Sequence, residues 1–421
     1  MQSQLKNNNF LLYSFGFLKS LHFFGSLSIP FYLDRLEMSY TWMFVIETIF
    51  SVFLFLFEIP TGIVADKFGR KTSLVLGSGI FGFSFVILGI TRNITVLLFV
   101  QILGALGMSL ISGADKALIY ENAKLQNKSP EEISVIASRF NGFETVAMLI
   151  AFPLGSLFIS SGFMDYVSAL GFVFVATGIA MLVASVLIFF VKEPAKLMSE
   201  SEKTEIDGTD EKKDKPTSTK KMLEQNAKGC FFAFKNPELR KLSLDYSVIS
   251  AFTFLMFWFY QSLLLENNVN IAVNGFVASG FNLAASLLLF SSGFIQKKLG
   301  YSKTRFLSAF IPGVLYVLVF MFYRNIFVAM IAIFGITMLR LFRDPILITQ
   351  MNVKINDENR ATVLSGVSMF SRIIIAIFYP ISGILMDKNP QVTYLVIGIA
   401  TVVCSFLLST PRKKNRGKLG E

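Results

Sequence analysis

Long, unbroken apolar runs dominate the chain, separated by short connections that carry nearly all of its charge. Runs covering about 9–32, 40–65, 72–91, 95–121, 140–161 and 166–191 form a first group of six. A second group covers about 240–264, 272–296, 303–323, 325–349, 360–386 and 391–410. A hydrocarbon layer of about 30 Å calls for roughly 20 apolar residues per helical crossing, which each run supplies. Membrane strands would be shorter and would alternate in polarity, a pattern absent here. The expectation is an all-α membrane protein with twelve transmembrane helices. Lys19 and His22 inside the first run distinguish it from a cleaved signal peptide, so it is expected to stay as a helix.

Between the groups lies KEPAKLMSESEKTEIDGTDEKKDKPTSTKKMLEQ, dense in charge and poor in large apolar side chains. Such a stretch has too little apolar surface to bury a core and reads as a disordered linker. The following NAKGCFFAFKNPELRKL mixes apolar and basic residues, as a short interfacial helix would. The organisation expected is a six-helix bundle over 1–191, a cytoplasmic linker over 192–235 and a second six-helix bundle over 236–421.

Composition agrees with the pattern. The 421 residues have a mean hydropathy of +0.59. Lys and Arg number 39 against 28 acids, for a net charge of +11. The bases gather in the amino terminus, the even-numbered connections and the tail PRKKNRGK, while the opposite side holds Arg35, Arg92, Arg324 and Lys388. That asymmetry places both termini in the cytoplasm and assigns the positive charge to topology and lipid headgroups, not to nucleic acid. Two cysteines, Cys230 and Cys404, and a single histidine leave no disulfide framework and no metal site. No cofactor-binding, phosphate-cradling or nucleophilic-triad motif is present, so no catalytic residue is expected and any energy used must come from a gradient.

The halves repeat one another. GIVADKFGRK (62–71) aligns with GFIQKKLGYS (293–302), keeping two glycines seven apart. A second offset pairs AFPLGSL with FYPISGI and sets Lys116 opposite Arg343. Parallel six-helix repeats imply two bundles related by a pseudo-twofold around a shared cavity, able to rock between two openings.

The stretch GIVADKFGRK resembles the loop signature of the major facilitator superfamily, Gly-x-x-x-Asp-Arg/Lys-x-Gly-Arg/Lys-Arg/Lys, and the span number, linker and repeated halves extend the resemblance over nearly the whole chain. That resemblance implies a conformational latch built from Gly62, Asp66, Gly69, Arg70 and Lys71. Gly62 would admit a close helix approach and Gly69 a tight turn. The longer EIPTGIVADKFGRK is similar to the same region in clostridial-type tetracycline efflux proteins, which makes drug export the leading implication. Two features depart from drug/proton antiporters. The arginine expected in the fourth helix is absent, with Gln101 near that place, and the fifth-helix antiporter motif is reduced to AFPLGS.

Ionisable groups within spans cost at least about 2.5 kcal/mol on insertion scales, so each is a functional candidate. Lys19 and His22 are three apart and would share a helix face. Glu47 and Glu58 are separated by about three turns and would share another. Glu47, Glu58 and His22 are the proton-coupling candidates, with a permanent salt bridge to Lys19 or to an arginine of the other half as the alternative for Glu47. Asp115, Lys116, Arg343 and Asp344 are candidates for gate salt bridges. Glu144 is expected to pair locally. Lys19, Arg340, Arg372 and Trp258 are candidates for lining a substrate cavity.

The function expected is a secondary transporter of a bacterial cytoplasmic membrane that exports small amphipathic compounds, antibiotics among them, in exchange for protons. The competing readings are a symporter or uniporter importing a polar or anionic metabolite, and a transport-dead relative serving as sensor or scaffold. Its partners would be a small-molecule substrate, protons and lipids, and the chain would act as a monomer.

Overall fold

The computed structural model describes residues 2–193, 229, 231, 234–355 and 360–410. The described residues are overwhelmingly helical. The first group gives α1 (Gln2–Lys19), α2 (Ser28–Pro30), a π-helical turn (Phe31–Arg35), α3 (Tyr40–Phe68), α4 (Arg70–Ile90), α5 (Ile94–Ile111), α6 (Ala114–Leu125), α7 (Pro130–Ser160) and α8 (Tyr166–Phe189). The second gives α9 (Pro237–Glu266), α10 (Ala272–Phe290), α11 (Ser292–Leu299), α12 (Tyr301–Met321), α13 (Ile326–Val353), α14 (Arg360–Lys388), α15 (Pro390–Cys404) and a closing π-helical turn (Ser405–Ser409).

Polar side chains at the connections fix where many of these helices begin. Asn93, Asn236, Asn325 and Asn389 each accept a backbone N–H of the first turn that follows, and Asp165 does the same for α8. At α7, Ser129 and Glu132 form a reciprocal capping box, with Pro130 in the position where its missing N–H is harmless.

Three expected spans are broken. The first run does not continue to 32: α1 stops at Lys19, and 20–27 turn before α2. His22 therefore lies in the turn, and the expected helix face shared with Lys19 does not exist. The fourth run divides at Ser112–Gly113, where Gly113 has φ +82°, and the eighth divides at Ser291. Eleven described segments are long and apolar enough to cross a membrane. The segment expected as a linker lies mostly outside the described residues, as do 226–228, 230, 232 and 233 of the expected interfacial helix, whose last residues from Pro237 onward belong to α9.

The chain divides into two compact units, 1–225 with 269–279, and 226–268 with 280–421. In the first, α4 lies against α8 through facing glycines: a methyl on Gly82 would stand 2.7 Å from the Gly178 carbonyl, and one on Gly178 2.6 Å from that of Gly82. In the second, α12 meets α15 in the same way, with a Cβ on Gly313 falling 3.1 Å from the Gly398 carbonyl. Without a hydrophobic drive inside lipid, such small-residue contacts let backbones approach and gain dispersion energy. The same pair of helices, third and sixth of their six, is thus joined in each unit.

Candidate functional site

In the first unit the end of α1 brings Lys19 against two carboxylates. Its ammonium bridges Asp115 of α6 and lies 2.7 Å from Glu144 of α7. The three side chains are 11%, 6% and 19% exposed, and the ring of Phe140 stands 5.2 Å from the ammonium. One cation against two anions leaves a formal excess of one negative charge in a nearly dry cluster, where charge is expensive. Asp115 reaches Lys19 because Gly113 turns the chain into α6, and its second oxygen accepts the Lys116 N–H at 2.7 Å. The Lys116 side chain points elsewhere and is exposed. Of the alternatives open to Glu47, the bridge to Lys19 is not formed.

Glu47 instead accepts the Tyr32 hydroxyl at 3.1 Å, and Tyr32 in turn accepts Gln101 Nε2 at 2.8 Å. Tyr32 and Gln101 are buried and Glu47 is half-buried. Gln101 thus orients the hydroxyl that holds the carboxylate. Glu58, three turns along α3, is exposed. His22 is half-buried, its Nδ1 is buried without a hydrogen-bond partner, and its ring meets Phe24 edge-on.

At the α3–α4 junction Gly69 adopts φ +95°. Arg70 lies 3.5 Å from Asp66 and 3.3 Å from Glu121 of α6. Lys71 places its ammonium 5.0 Å from the Phe189 ring, and its backbone N–H donates to Glu193 at 3.2 Å. Gly62 departs from expectation: a methyl there would meet nothing within 4 Å, so no close helix approach requires this glycine.

The second unit holds the opposite charge excess. Asp245 of α9, fully buried, pairs with Arg305 of α12 and Arg343 of α13, each at 2.6 Å. Ser409 donates to the same carboxylate, and Arg343 also donates to the Arg305 carbonyl at 2.6 Å. Two guanidiniums share one carboxylate. One turn before Arg343, Arg340 takes a different surrounding. Its guanidinium lies 4.5 Å from the Phe254 ring, and its Nε has no hydrogen-bond partner. Asp344 accepts from Ser250 at 2.6 Å, so Arg343 and Asp344, adjacent in sequence, engage different partners. Trp258 is buried and donates Nε1 to the Tyr379 hydroxyl at 3.2 Å. Arg372 is half-buried on α14, next to the Ser371–Ser247 hydrogen bond of 2.6 Å.

Sequence reasoning overlooked Asp245, Arg305 and Glu193. Asp245 carried a usable signal, an acid within an apolar run. Glu193 stands just past a span, where charge is common, so nothing in the sequence marks it.

The comparisons agree with this architecture. A family model described as Major Facilitator Superfamily matches residues 9–338. Multidrug resistance protein 2 of Bacillus subtilis (strain 168) is 24% identical over 168 residues. That match covers 39% of this chain and 38% of the relative, so it spans well under half of that protein. The crystal structure of the nucleoside transporter NupG is similar at a TM-score of 0.75 and 13% identity, covering 96% of this chain and 98% of that one. A bacterial homologue of the human lysosomal transporter Spinster, in an inward-facing and unoccupied conformation, gives 0.67 and 16%, over 97% and 95% of the two chains.

Proposed function

The chain belongs to the major facilitator superfamily, and we propose that it exports small amphipathic compounds in exchange for protons by alternating access. The observation that carries this reading is Lys19 held between Asp115 and Glu144. With both acids ionised the cluster is negative, and a proton taken up by one of them neutralises it. Glu144, the most exposed of the three, is the proposed proton acceptor, while Asp115 remains bridged to Lys19. A cationic substrate offers the same neutralisation, so proton and substrate compete for one excess charge, which is the requirement for exchange. Glu47, held by Tyr32, is a second carboxylate that can take part.

The remaining roles follow from the same reading. Both termini face the cytoplasm of a bacterial cell, a reading that the distribution of bases supports. The junction of Asp66, Arg70 and Lys71 then lies at the cytoplasmic end and acts as the latch, with Glu121 holding Arg70 when Asp66 lets go. The partial likeness to a multidrug resistance protein supports export and an amphipathic substrate. The protein works as a monomer in contact with lipid.

A second reading, import of a small anionic metabolite, draws on Arg340, whose guanidinium lies over Phe254 with Nε unpartnered. Inverted membrane vesicles with an imposed pH gradient separate the two. Ethidium accumulation that collapses with a protonophore supports export; counterflow of a labelled organic anion, without ethidium accumulation, supports import.

A further inference from the structure

The third helix of each unit starts after a left-handed glycine, Gly69 (φ +95°) before α4 and Gly300 (φ +76°) before α12. In the first unit the start of that helix is closed by the chain itself. Glu193, only 8% exposed, accepts the Lys71 N–H, and a methyl on Gly69 would strike its carboxylate. The second unit repeats these elements with one change. The sequence leaving α8 is VKEPAK and the sequence leaving the closing turn is LSTPRK, so Thr410 stands where Glu193 does. In both units the first long helix donates to a carbonyl at this end: Asn8 to Lys192 at 2.9 Å, and Lys241 to Thr410 at 3.0 Å.

Where the first unit has a carboxylate, the second has a cavity of about 180 Å³. Tyr301, Ser302 and Thr410 line it together with three bases, Lys241, Arg305 and Lys354. The one acid in the lining, Glu238, is engaged by Lys354. Beneath Arg305, Asp245 serves two guanidiniums. Counting these groups, Lys241, Arg305, Arg343 and Lys354 against Glu238 and Asp245, leaves two positive charges in excess. The Tyr301 hydroxyl, beside Arg305, is buried with no partner of hydrogen-bond geometry. Gly300 supplies no side-chain cap, so the first N–H groups of α12 have no capping side chain on this side either.

We propose that this cavity binds a phosphate group, which takes the place that the Glu193 carboxylate holds in the first unit. Ammonium, guanidinium and hydroxyl donors converging beside a helix start suit a tetrahedral dianion or diester. The volume is roughly six times the ~30 Å³ share of one water, enough for a phosphate and its ester carbons. In the orientation proposed above, the cavity lies at the level of the cytoplasmic headgroups. The phosphate is therefore that of an anionic phospholipid or of a free phosphate compound.

Native mass spectrometry of the delipidated, full-length protein tests this with dioleoylphosphatidylglycerol, dioleoylphosphatidylcholine and inorganic phosphate as probes. The wild type is expected to hold phosphatidylglycerol roughly tenfold more tightly than phosphatidylcholine, the scale of one charge-assisted contact. Thr410→Glu, which restores the carboxylate, is expected to abolish that preference with an unchanged melting temperature. Tyr301→Phe and Lys241→Gln are expected to weaken it severalfold, and they decide the matter if Thr410→Glu fails to fold. Displacement of the lipid by millimolar inorganic phosphate supports a soluble ligand, and resistance to displacement supports the lipid source. Equal retention of the two lipids together with no retained inorganic phosphate, or an undiminished preference in Tyr301→Phe and Lys241→Gln, overturns the proposal. Because the readout is binding, its outcome is independent of transport direction and coupling.

Discussion

The Lys19 ammonium lies 2.7 Å from the Glu144 carboxylate while also bridging Asp115, so one base answers two acids drawn from two other helices. Removing the base leaves two buried carboxylates facing each other. Lys19→Met is expected to destabilise the protein by about 3 kcal/mol, the cost of breaking a buried pair. Melting temperatures in detergent check this, and a loss below about 0.5 kcal/mol would argue against a buried charge cluster.

The second unit carries the opposite charge excess. Asp245→Asn strands Arg305 and Arg343 in a dry site and should cost about 3–5 kcal/mol, whereas exposed Asp66→Asn should change stability by less than about 0.5 kcal/mol. Denaturant or thermal unfolding of the two variants, compared directly, gives the answer. Similar small effects would show that the Asp245 cluster does not hold its helices together.

Helix contact through glycine makes a purely steric prediction. Gly82→Val would drive a branched side chain into the Gly178 carbonyl of α8 and is expected to cost about 1–3 kcal/mol or to abolish folded yield. Gly62→Val, placed against open space, should be tolerated in stability, with size-exclusion profile and melting temperature as the readouts.

Arg340 and Phe254 form a cation–π contact that contributes about 0.5–2 kcal/mol depending on solvation. If the guanidinium also meets substrate, Arg340→Lys should keep the fold and change substrate preference, while Arg340→Gln removes transport of anionic compounds first. A panel of cationic, neutral and anionic dyes in vesicles resolves the split. A uniform loss across the panel would assign Arg340 a structural role alone.

Much of this architecture was legible in the chain because bilayer thickness sets the length of apolar run that a span needs. The repeated glycines at 69 and 300 were likewise visible, and both prove to be left-handed. The breaks at 20–27, at Gly113 and at Ser291 were not, since hydropathy reports burial in lipid and is blind to a turn made of residues equally apolar. Charge pairing was the least legible part. Lys19 lies 96 residues from Asp115, and nothing local tells whether it meets Asp115 or Glu47. The candidates were therefore identified residue by residue, while their grouping came only with the packing of α1 against α6 and α7.

The most direct test of the account is ethidium accumulation in inverted vesicles carrying wild type, Glu144→Gln or Glu58→Gln under an imposed pH gradient. The account predicts protonophore-sensitive accumulation in the wild type and in Glu58→Gln, and its loss in Glu144→Gln at normal expression. Full, gradient-driven accumulation by Glu144→Gln would contradict it.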